Sequence, residues 1–260
     1  MKRYLPFIAI TLLAAVSAAF VIWAHLSRPE VFTSPGGSSA VAGKVCLIPI
    51  GEVPKADVAF AAAVLEADFG RDVVIADSLP LQEEYYYEER DQYSAAGFLK
   101  YVEANAPREA YRVVGLTAAD ITIRDLNFLF GMGRCPGRCA VMSTYRLGFY
   151  CSTEYRRRLR FAKLTVHEMG HTFGLLHCRR RTCIMKFAEG YVAVDFQRLA
   201  MCERCEEHFC GVAAVDREAR RARLEAMLKK YGLWQEVGEA AGLTPPPAPA
   251  DLTPEETEAG

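Results

Sequence analysis

The sequence has no excess of charge of either sign, too few cysteines for a disulfide framework and no internal repeat. Its net charge is −1, from 31 Lys and Arg against 32 Asp and Glu. Nothing therefore draws the whole chain to nucleic acid, and we expect no such partner. Nine cysteines among 260 residues are too sparse for a disulfide-framed miniprotein, and an odd number cannot all pair within one chain.

Apolar residues, in contrast, are plentiful. Their share of 51% supports a sizeable core and excludes a chain that is disordered throughout. A length of 260 residues predicts one domain with additional segments, because domains usually hold roughly 100–200 residues. The expected division is a signal peptide or membrane anchor at 1–27, a linker at 28–43, a folded domain at 44–232 and a disordered Pro-rich tail at 233–260.

The N-terminal thirty residues carry a membrane signal. Lys2 and Arg3 precede Tyr4–Leu26, a run of 23 residues without Asp, Glu, Lys or Arg. The run is longer than the ~7–15 residues of a signal-peptide core and close to the ~20 that span a bilayer. Val16–Ala18 offers a small-residue cleavage site, so an uncleaved anchor and a cleaved signal both remain open. With the positive residues held inside, the domain is expected to be extracytoplasmic, either membrane-anchored or secreted.

Short apolar runs alternate with helical patterns in the central part of the chain. This alternation predicts an α/β (α+β) domain. The predicted strands are Val45–Ile50, Val73–Ala76, Tyr111–Leu116 and Cys139–Ser143, and the predicted helices include Lys55–Phe69, Phe98–Ala104 and the basic Asp216–Gly232.

Charged stretches are expected at the surface. The spacing of Leu224, Met227, Leu228 and Tyr231 in the basic helix indicates a packed surface helix. The acidic, Tyr-rich stretch Glu83–Asp91 predicts a solvated loop or helix end. Solvated surface is also the expectation for the arginines at Arg156–Arg158, Arg160 and Arg179–Arg181.

Three of the five histidines fall within eleven residues that read His-Glu-Met-Gly-His-Thr-Phe-Gly-Leu-Leu-His. His167 and His171 are four apart, so on a helix they lie on one face and can share a metal. Glu168 lies one step round the helix, where it can contact a metal-bound water without binding the metal. Gly174 can adopt the left-handed conformation that ends a helix, which lets His177 return as a third ligand. Three protein ligands with an open fourth position indicate a catalytic zinc.

The helix that carries these residues is predicted from its cap and its apolar stripe. Ser152 and Thr153 are both suitable N-cap residues. The residues expected to face the core step by three or four along the helix and are Leu159, Ala162, Val166, Met169 and Phe173.

Four cysteines follow directly: Cys178, Cys183, Cys202 and Cys205. Four thiolates in paired close spacing suit a closed tetrahedral zinc site, which is structural. Two disulfides are the alternative, because an outward-facing domain sits in an oxidising compartment. We favour zinc, since Cys-x2-Cys pairs seldom form stable structural disulfides. A different ligand set is also open, and it consists of Cys202, Cys205, His208 and Cys210, although we expect His208 to be an exposed helix residue.

The remaining cysteines divide by their surroundings. Cys135 and Cys139 flank a Pro–Gly turn and would pair if the domain faces outward. Cys46 lies in a predicted strand and is expected to be a small buried apolar side chain.

The histidine pattern, followed by the four cysteines and Met185, resembles the archaemetzincins, in the metzincin form of the zinc protease motif. Residues 126–131 and 140–147 are also similar to that family, and the likeness covers roughly Lys44 to Phe209. The resemblance implies a mixed twisted sheet with packed helices, and a methionine turn beneath the metal at Met185. It also implies an edge strand near Ala140–Tyr145 that would pair with an extended peptide.

The site and the resemblance together predict a zinc-dependent peptidase with two zinc ions, one at the histidines and one at the cysteines. Glu168 would act as general base on the zinc-activated water and pass the proton to the departing amine. The expected partners are a peptide or protein substrate and, if the N-terminal segment is uncleaved, a membrane; the chain is expected to be a monomer. The alternatives are a membrane-anchored, zinc-stabilised binding module without turnover and a zinc esterase or amidase. Archaemetzincins generally lack an N-terminal apolar segment, so the present chain departs from the family there.

Overall fold

The structure, a computed structural model, describes residues 43–233. The segment 1–27, the linker up to residue 42 and the tail from residue 234 lie outside the described residues, so the anchor, linker and tail stay predictions. Within the described range, no helix has both the length and the apolar character needed to cross a membrane.

Strands and helices alternate along the described residues as the sequence pattern predicts. The strands are β1 (Val45–Ile50), β2 (Val73–Ile75), β3 (Tyr86–Tyr87), β4 (Gln92–Ser94), β5 (Arg112–Thr117), β6 (Ile121–Thr122), β7 (Gly131–Gly133) and β8 (Cys139–Ser143). The α-helices are α1 (Lys55–Phe69), α2 (Ala95–Asn105), α3 (Glu154–Thr172), α4 (Tyr191–Phe196), α5 (Glu203–Ala213) and α6 (Arg217–Lys230). Each element predicted from the pattern is confirmed, with ends that differ by a few residues at most.

The main sheet has five strands in the order β2–β1–β5–β8–β7. All neighbours are parallel except β7, which pairs antiparallel with β8 at one edge. β1 is buried on both faces: Val45 and Leu47 pack toward α1 and α3, and Cys46 and Ile48 pack toward α2. Burial on both faces explains why this strand reads as a continuous apolar run rather than an alternating one. The mixed α/β class is therefore confirmed for the described domain.

The edge of the sheet differs from the expectation. Residues 140–145 were expected to form an edge strand, but β8 lies between β5 and β7, and β7 is the edge. β7 is only three residues long and has the sequence Gly-Met-Gly, which carries no apolar pattern that predicts a strand. Its pairing with β8 matches Gly131 with Met142 and Gly133 with Ala140. The expectation of an edge at Ala140–Tyr145 is wrong by one strand.

The acidic Tyr-rich stretch forms short helices and a strand rather than a loop. Two single-turn helices, Glu83–Tyr85 and Glu88–Arg90, flank β3. β3 belongs to a separate three-stranded sheet in the order β3–β4–β6. The side chain of Arg90 donates to the carbonyl oxygens of Leu126 at 2.6 Å and Asn127 at 2.9 Å, which ties this sheet to the segment that leads into β7.

Arg160 is not solvated, contrary to the expectation for the arginine-rich start of α3. It is 1% exposed and forms a two-pronged ion pair with Asp195 of α4, both contacts at 2.7 Å. It also donates to the carbonyl oxygens of Leu147 at 3.1 Å and Phe149 at 2.6 Å. One buried guanidinium thus fixes the loop before α3 to the helix α4. Asp195 is 35 residues away in the chain, so local sequence could not reveal the pairing.

The basic helix α6 packs as predicted, and it also buries a charge. Arg220 is 2% exposed. Its Nε donates to Asp68 of α1 at 2.7 Å, and its Nη1 lies 3.4 Å from the Glu206 carboxylate of α5. Arg221, beside it, is exposed and pairs only with Glu206. One buried cluster of charges therefore joins α1 to the consecutive helices α5 and α6, which are distant from α1 in sequence.

Replacing Arg220 with Met should destabilise the domain by about 3–5 kcal/mol, because Asp68 would be left buried without its counter-charge, while Glu206 would keep Arg217 and Arg221. The measurement is the free energy of unfolding from urea denaturation. Arg221→Met is the matched control and should cost less than about 1 kcal/mol, since that guanidinium is solvated. Equal losses in the two variants would contradict the importance of the buried cluster.

Candidate metal centres

The helix α3 begins and ends as its sequence predicts. The Thr153 hydroxyl oxygen accepts the Arg156 N–H at 3.3 Å and caps the N-terminus. Gly174 has a φ of +84°, the left-handed conformation that turns the chain back. The predicted apolar stripe is confirmed as buried at all five positions, Leu159, Ala162, Val166, Met169 and Phe173.

The fold brings the three histidines of the motif together. Their ligand nitrogens all lie within 4.8 Å of one another. The Nε2 atoms of His167 and His171 are 3.1 Å apart. His167 and His171 are buried in α3, whereas His177 approaches from the turn and remains exposed.

Backbone carbonyls orient the two helical imidazoles. His167 Nδ1 donates to the Ile184 carbonyl oxygen at 2.6 Å, and His171 Nδ1 donates to the Leu175 carbonyl oxygen at 2.7 Å. A carbonyl can only accept, so both rings carry their proton on Nδ1 and present an Nε2 lone pair. Two lone pairs that face each other at 3.1 Å repel unless a cation lies between them.

The distances and protonation of the histidines fit zinc. Nitrogens bound tetrahedrally to zinc at about 2.05 Å lie about 3.3 Å apart, close to the observed separation of 3.1 Å. Burial of the His167 ring and partial desolvation of the His177 ring, together with the neighbouring His171, lower their pKa values to about 3 and about 4. Both rings are therefore neutral at pH 7, as a metal ligand must be.

Glu168 lies beside the histidines in a buried position. Burial raises the pKa of its carboxyl to about 8, although the N–H of Gly133, donating to the carboxylate, acts in the opposite direction. A methyl group built on Gly131 would lie 2.6 Å from Glu168 Cγ. β7 therefore passes so close to α3 that only glycines fit at two of its three positions.

Gly133→Ala should damage the histidine site. The added Cβ would lie 2.5 Å from the Glu168 carbonyl oxygen and 2.8 Å from His171 Cβ, so β7 or α3 would have to move. We expect a stability loss of about 1–3 kcal/mol and weaker zinc binding. The measurements are urea denaturation and zinc content per chain.

Gly190→Ala is the control for that variant. No atom lies within 4 Å of a Cβ at Gly190, and its φ of 175° is extended backbone. The free energy of unfolding of the Gly190→Ala variant should stay within about 0.5 kcal/mol of that of the parent. Equal effects of the two substitutions would contradict the close approach of β7 to α3.

Glu168→Gln should change how stability depends on pH when the histidine site is free of metal. The folded carboxyl, with a pKa of about 8 against an ordinary 4.5, binds more protons than the unfolded one between these values. Stability of the parent therefore falls as pH rises through this window, by at most about 1.4 kcal/mol per unit from this group. Gln does not titrate, so the free energy of unfolding of the variant should rise relative to that of the parent from pH 5 to pH 8. The measurement is urea denaturation. A constant difference between the two proteins would contradict the buried, protonated carboxyl.

The four predicted cysteines form a second cluster. The Sγ atoms of Cys178, Cys183, Cys202 and Cys205 all lie within 4.8 Å of one another. The Sγ atoms of Cys178 and Cys202 are 3.8 Å apart, far beyond the ~2.05 Å of a disulfide. Thiolates bound tetrahedrally to zinc at about 2.3 Å lie about 3.8 Å apart. Burial raises the pKa of Cys183 to about 11 and also raises that of Cys205, so without a cation these two groups are neutral thiols.

The other cysteine interpretations receive no support from the geometry. All nine cysteines are unpaired, which includes Cys135 and Cys139. Neither His208 nor Cys210 belongs to the cluster. His208 is exposed as predicted, and its Nε2 donates to the Phe173 carbonyl oxygen at 3.0 Å, near the end of α3. Cys46 is buried in β1 as predicted.

Met185 packs against the helix that carries the histidines. It is fully buried, and a Cβ on Gly170 would lie 2.5 Å from its sulfur. Gly170 lies between His167 and His171 in the chain, so the methionine supports the middle of the metal-facing turn. This is the position that the resemblance implied for Met185.

The backbone groups of the site are not predicted by the sequence. The carbonyl oxygens of Ile184 and Leu175 and the N–H of Gly133 are present in every residue type, so no side chain marks them. The one available signal is the pair of glycines at 131 and 133, close before the predicted strand Cys139–Ser143.

The fold and the histidine set place this chain among the zinc metallopeptidases. In that class, a helix and the turn after it offer three imidazoles to the metal and leave one coordination position open. Comparison with known families makes the assignment specific. The chain belongs to Peptidase family M54, whose model matches residues 68–210, more than half of its length. The resemblance drawn from the motif is thereby confirmed.

Several proteins named archaemetzincin are similar to the chain. The one from Methanopyrus kandleri is 42% identical over 127 residues, which cover 49% of this chain and 71% of that protein. The one from Pyrococcus abyssi is 34% identical over 175 residues, 63% of this chain and 92% of that protein.

Solved structures give the same result. The crystal structure of the Methanopyrus kandleri archaemetzincin superposes with a TM-score of 0.57 at 30% identity and covers 73% of this chain and 99% of that one. The Archaeoglobus fulgidus archaemetzincin, complexed with malonate, gives a TM-score of 0.56 at 27% identity and covers 63% and 99%.

Proposed function

We propose that the chain hydrolyses peptide bonds with one zinc ion held by His167, His171 and His177, and that Glu168 is its general base. A second, structural zinc is proposed at Cys178, Cys183, Cys202 and Cys205. The observation that carries the proposal is the convergence of the three ligand nitrogens within 4.8 Å beside a buried carboxyl. Zinc bound there would supply the Lewis acidity that activates water and polarises the scissile carbonyl.

Glu168 moves the proton in this proposal. Its carboxyl is held against β7 by the Gly133 N–H, and burial raises its pKa to about 8. That value applies without metal, and a zinc ion held at the histidines would lower it toward the working pH, where a carboxyl can both accept a proton and return it. Glu168 therefore takes the proton of the attacking water and passes it to the amine of the departing half of the peptide.

The peptide would bind in extended form along β7. β7 is the last strand of the sheet order, and an edge strand can pair with an added strand through main-chain hydrogen bonds. Gly131 and Gly133, the outer residues of β7, lie directly against Glu168 and the turn of His171. A peptide paired there would pass the histidines, so its backbone would be aligned before reaction.

The location of the enzyme is a separate proposal and rests on the N-terminal segment. Lys2 and Arg3 before the apolar run 4–26 support an extracytoplasmic domain, anchored to the membrane or secreted after cleavage. A peptide or protein outside the cytoplasm is the substrate that this location offers, and the enzyme is proposed to act as a monomer.

Glu168→Gln should lower kcat by about 10²–10⁴-fold while zinc content stays at that of the parent, because the amide keeps the shape and loses the base. Activity is measured by digestion of a peptide library with readout by mass spectrometry, and zinc by elemental analysis. Two zinc ions per parent chain would agree with both proposed centres. One zinc ion per chain, together with two disulfides, would overturn the cysteine assignment.

Glu154→Gln is the matched control for that variant. Glu154 lies on the same helix, is exposed and pairs with Arg157 and Arg158, so its loss should leave kcat unchanged. Full activity of Glu168→Gln would refute the assigned role. A parent protein that holds zinc and cleaves no peptide would favour the binding module, and cleavage of small esters or amides alone would favour the esterase or amidase.

A further inference from the structure

The residue between the two metal centres is Ile184, which follows the predicted ligand Cys183 directly. Its carbonyl oxygen accepts His167 Nδ1 at 2.6 Å. Its N–H donates to the Ala200 carbonyl oxygen at 3.0 Å, two residues before Cys202. Ile184, which orients His167, is therefore tied to Cys183 through the chain and, through Ala200, to the segment that leads into Cys202.

Two further hydrogen bonds close this segment onto the cluster. The Cys202 N–H donates to Cys183 Sγ at 3.3 Å. The Cys178 N–H donates to the Met185 carbonyl oxygen at 2.7 Å. Residues 183–185 thus lie between Cys178 on one side and Cys202 on the other, and the position of the Ile184 carbonyl depends on how close these cysteines are held.

His177 depends on the cysteine cluster in a second way, because it precedes Cys178 in the chain. Its ring contacts His171, His167 and Phe187, with centroid separations of 4.9, 5.5 and 5.0 Å. No hydrogen bond from another described residue orients this ring, so its place is set by the backbone that continues into Cys178. Two of the three histidines are positioned from the cysteine side.

His171 differs from the other two. Its Nδ1 partner is the Leu175 carbonyl, four residues along its own turn. That contact involves α3 and the turn alone and has no hydrogen bond to the cysteine cluster. The site therefore contains one histidine oriented locally and two oriented through the cysteines.

We propose that metal occupancy of the cysteine cluster positions His167 and His177, and so sets the metal affinity of the histidine site. The proposal rests on the zinc sites of the proposed function and adds a coupling between them. A metal at the cysteines holds Cys178, Cys183 and Cys202 at ligand distance, which keeps the Ile184 carbonyl against His167. Loss of such a partner behind a ligating histidine typically weakens metal binding by about 10–100-fold. By linkage, metal at the histidines strengthens binding at the cysteines by the same factor.

Cys205→Ser tests the coupling, because Cys205 lies on α5 and contacts none of the three histidines. We expect the Kd of the histidine site for Zn²⁺ to rise about 10–100-fold, measured by competition with a chromophoric chelator. Co²⁺ absorption distinguishes imidazole from thiolate sites and reports whether the histidine geometry has changed. Cys210→Ser, the same chemical change on the same helix outside the cluster, should leave the Kd within twofold.

The outcomes separate the coupling from the proposed function and from simple destabilisation. A folded Cys205→Ser protein with the parent's Kd and Co²⁺ spectrum at the histidines overturns the coupling and leaves the peptidase proposal intact. A lower melting temperature with an unchanged Kd also overturns it, since that is a structural effect alone. A parent that binds no metal at the histidines overturns both proposals.

A measurement on the unaltered holoprotein covers the case in which Cys205→Ser fails to fold. An organomercurial takes thiolates and releases zinc from the cysteine cluster. The rate at which a chelator removes zinc from the histidine site should rise at least tenfold after the cysteine zinc has left, and not before. An equal rate before and after would overturn the coupling.

Discussion

The structure depends on one constraint: the second half of α3 is buried on every side, and its polar groups need partners inside the protein. Residues 159–172 are buried without interruption, yet this stretch carries Arg160, His167, Glu168 and His171. A buried polar group without a partner costs free energy comparable to a lost hydrogen bond or more. The neighbouring elements meet this need. Asp195 pairs with Arg160, the carbonyls of Ile184 and Leu175 accept from the imidazoles, and Gly133 donates to Glu168.

The two candidate metal centres differ in the nature of their donors. The histidine set consists of neutral nitrogens that leave a coordination position open, which suits water and substrate. The cysteine set consists of four sulfurs that close the coordination sphere, which suits a structural ion. Both sets draw on one short stretch of chain, residues 177–185, so the structural and the reactive site are built on the same turn. The proposed coupling between the two sets rests on this shared turn.

The cysteine cluster and the N-terminal segment point to different compartments. Free thiols persist most readily in reducing surroundings, whereas the extracytoplasmic location proposed from the apolar segment after Lys2 and Arg3 would be oxidising. The zinc proposed at the cysteines would reconcile the two, because a thiolate that coordinates zinc has its reactive lone pair engaged and is held apart from its neighbours. The separation of 3.8 Å between the sulfurs of Cys178 and Cys202 accords with that state.

Local spacing in the sequence is enough to predict the candidate donors, the helix that carries them and the class of fold. His167 and His171 share a helical face through their four-residue step, Gly174 ends the helix, and an apolar run such as Val45–Ile50 can only be a buried strand or a buried helix. Only the tertiary structure decided that β7 rather than β8 is the edge, that Arg160 is buried and that Ile184 joins the two centres. The physical reason is that these features rest on backbone groups and on pairs far apart in the chain. Backbone carbonyls and amides are the same in every residue, so no pattern of side chains announces which of them will meet.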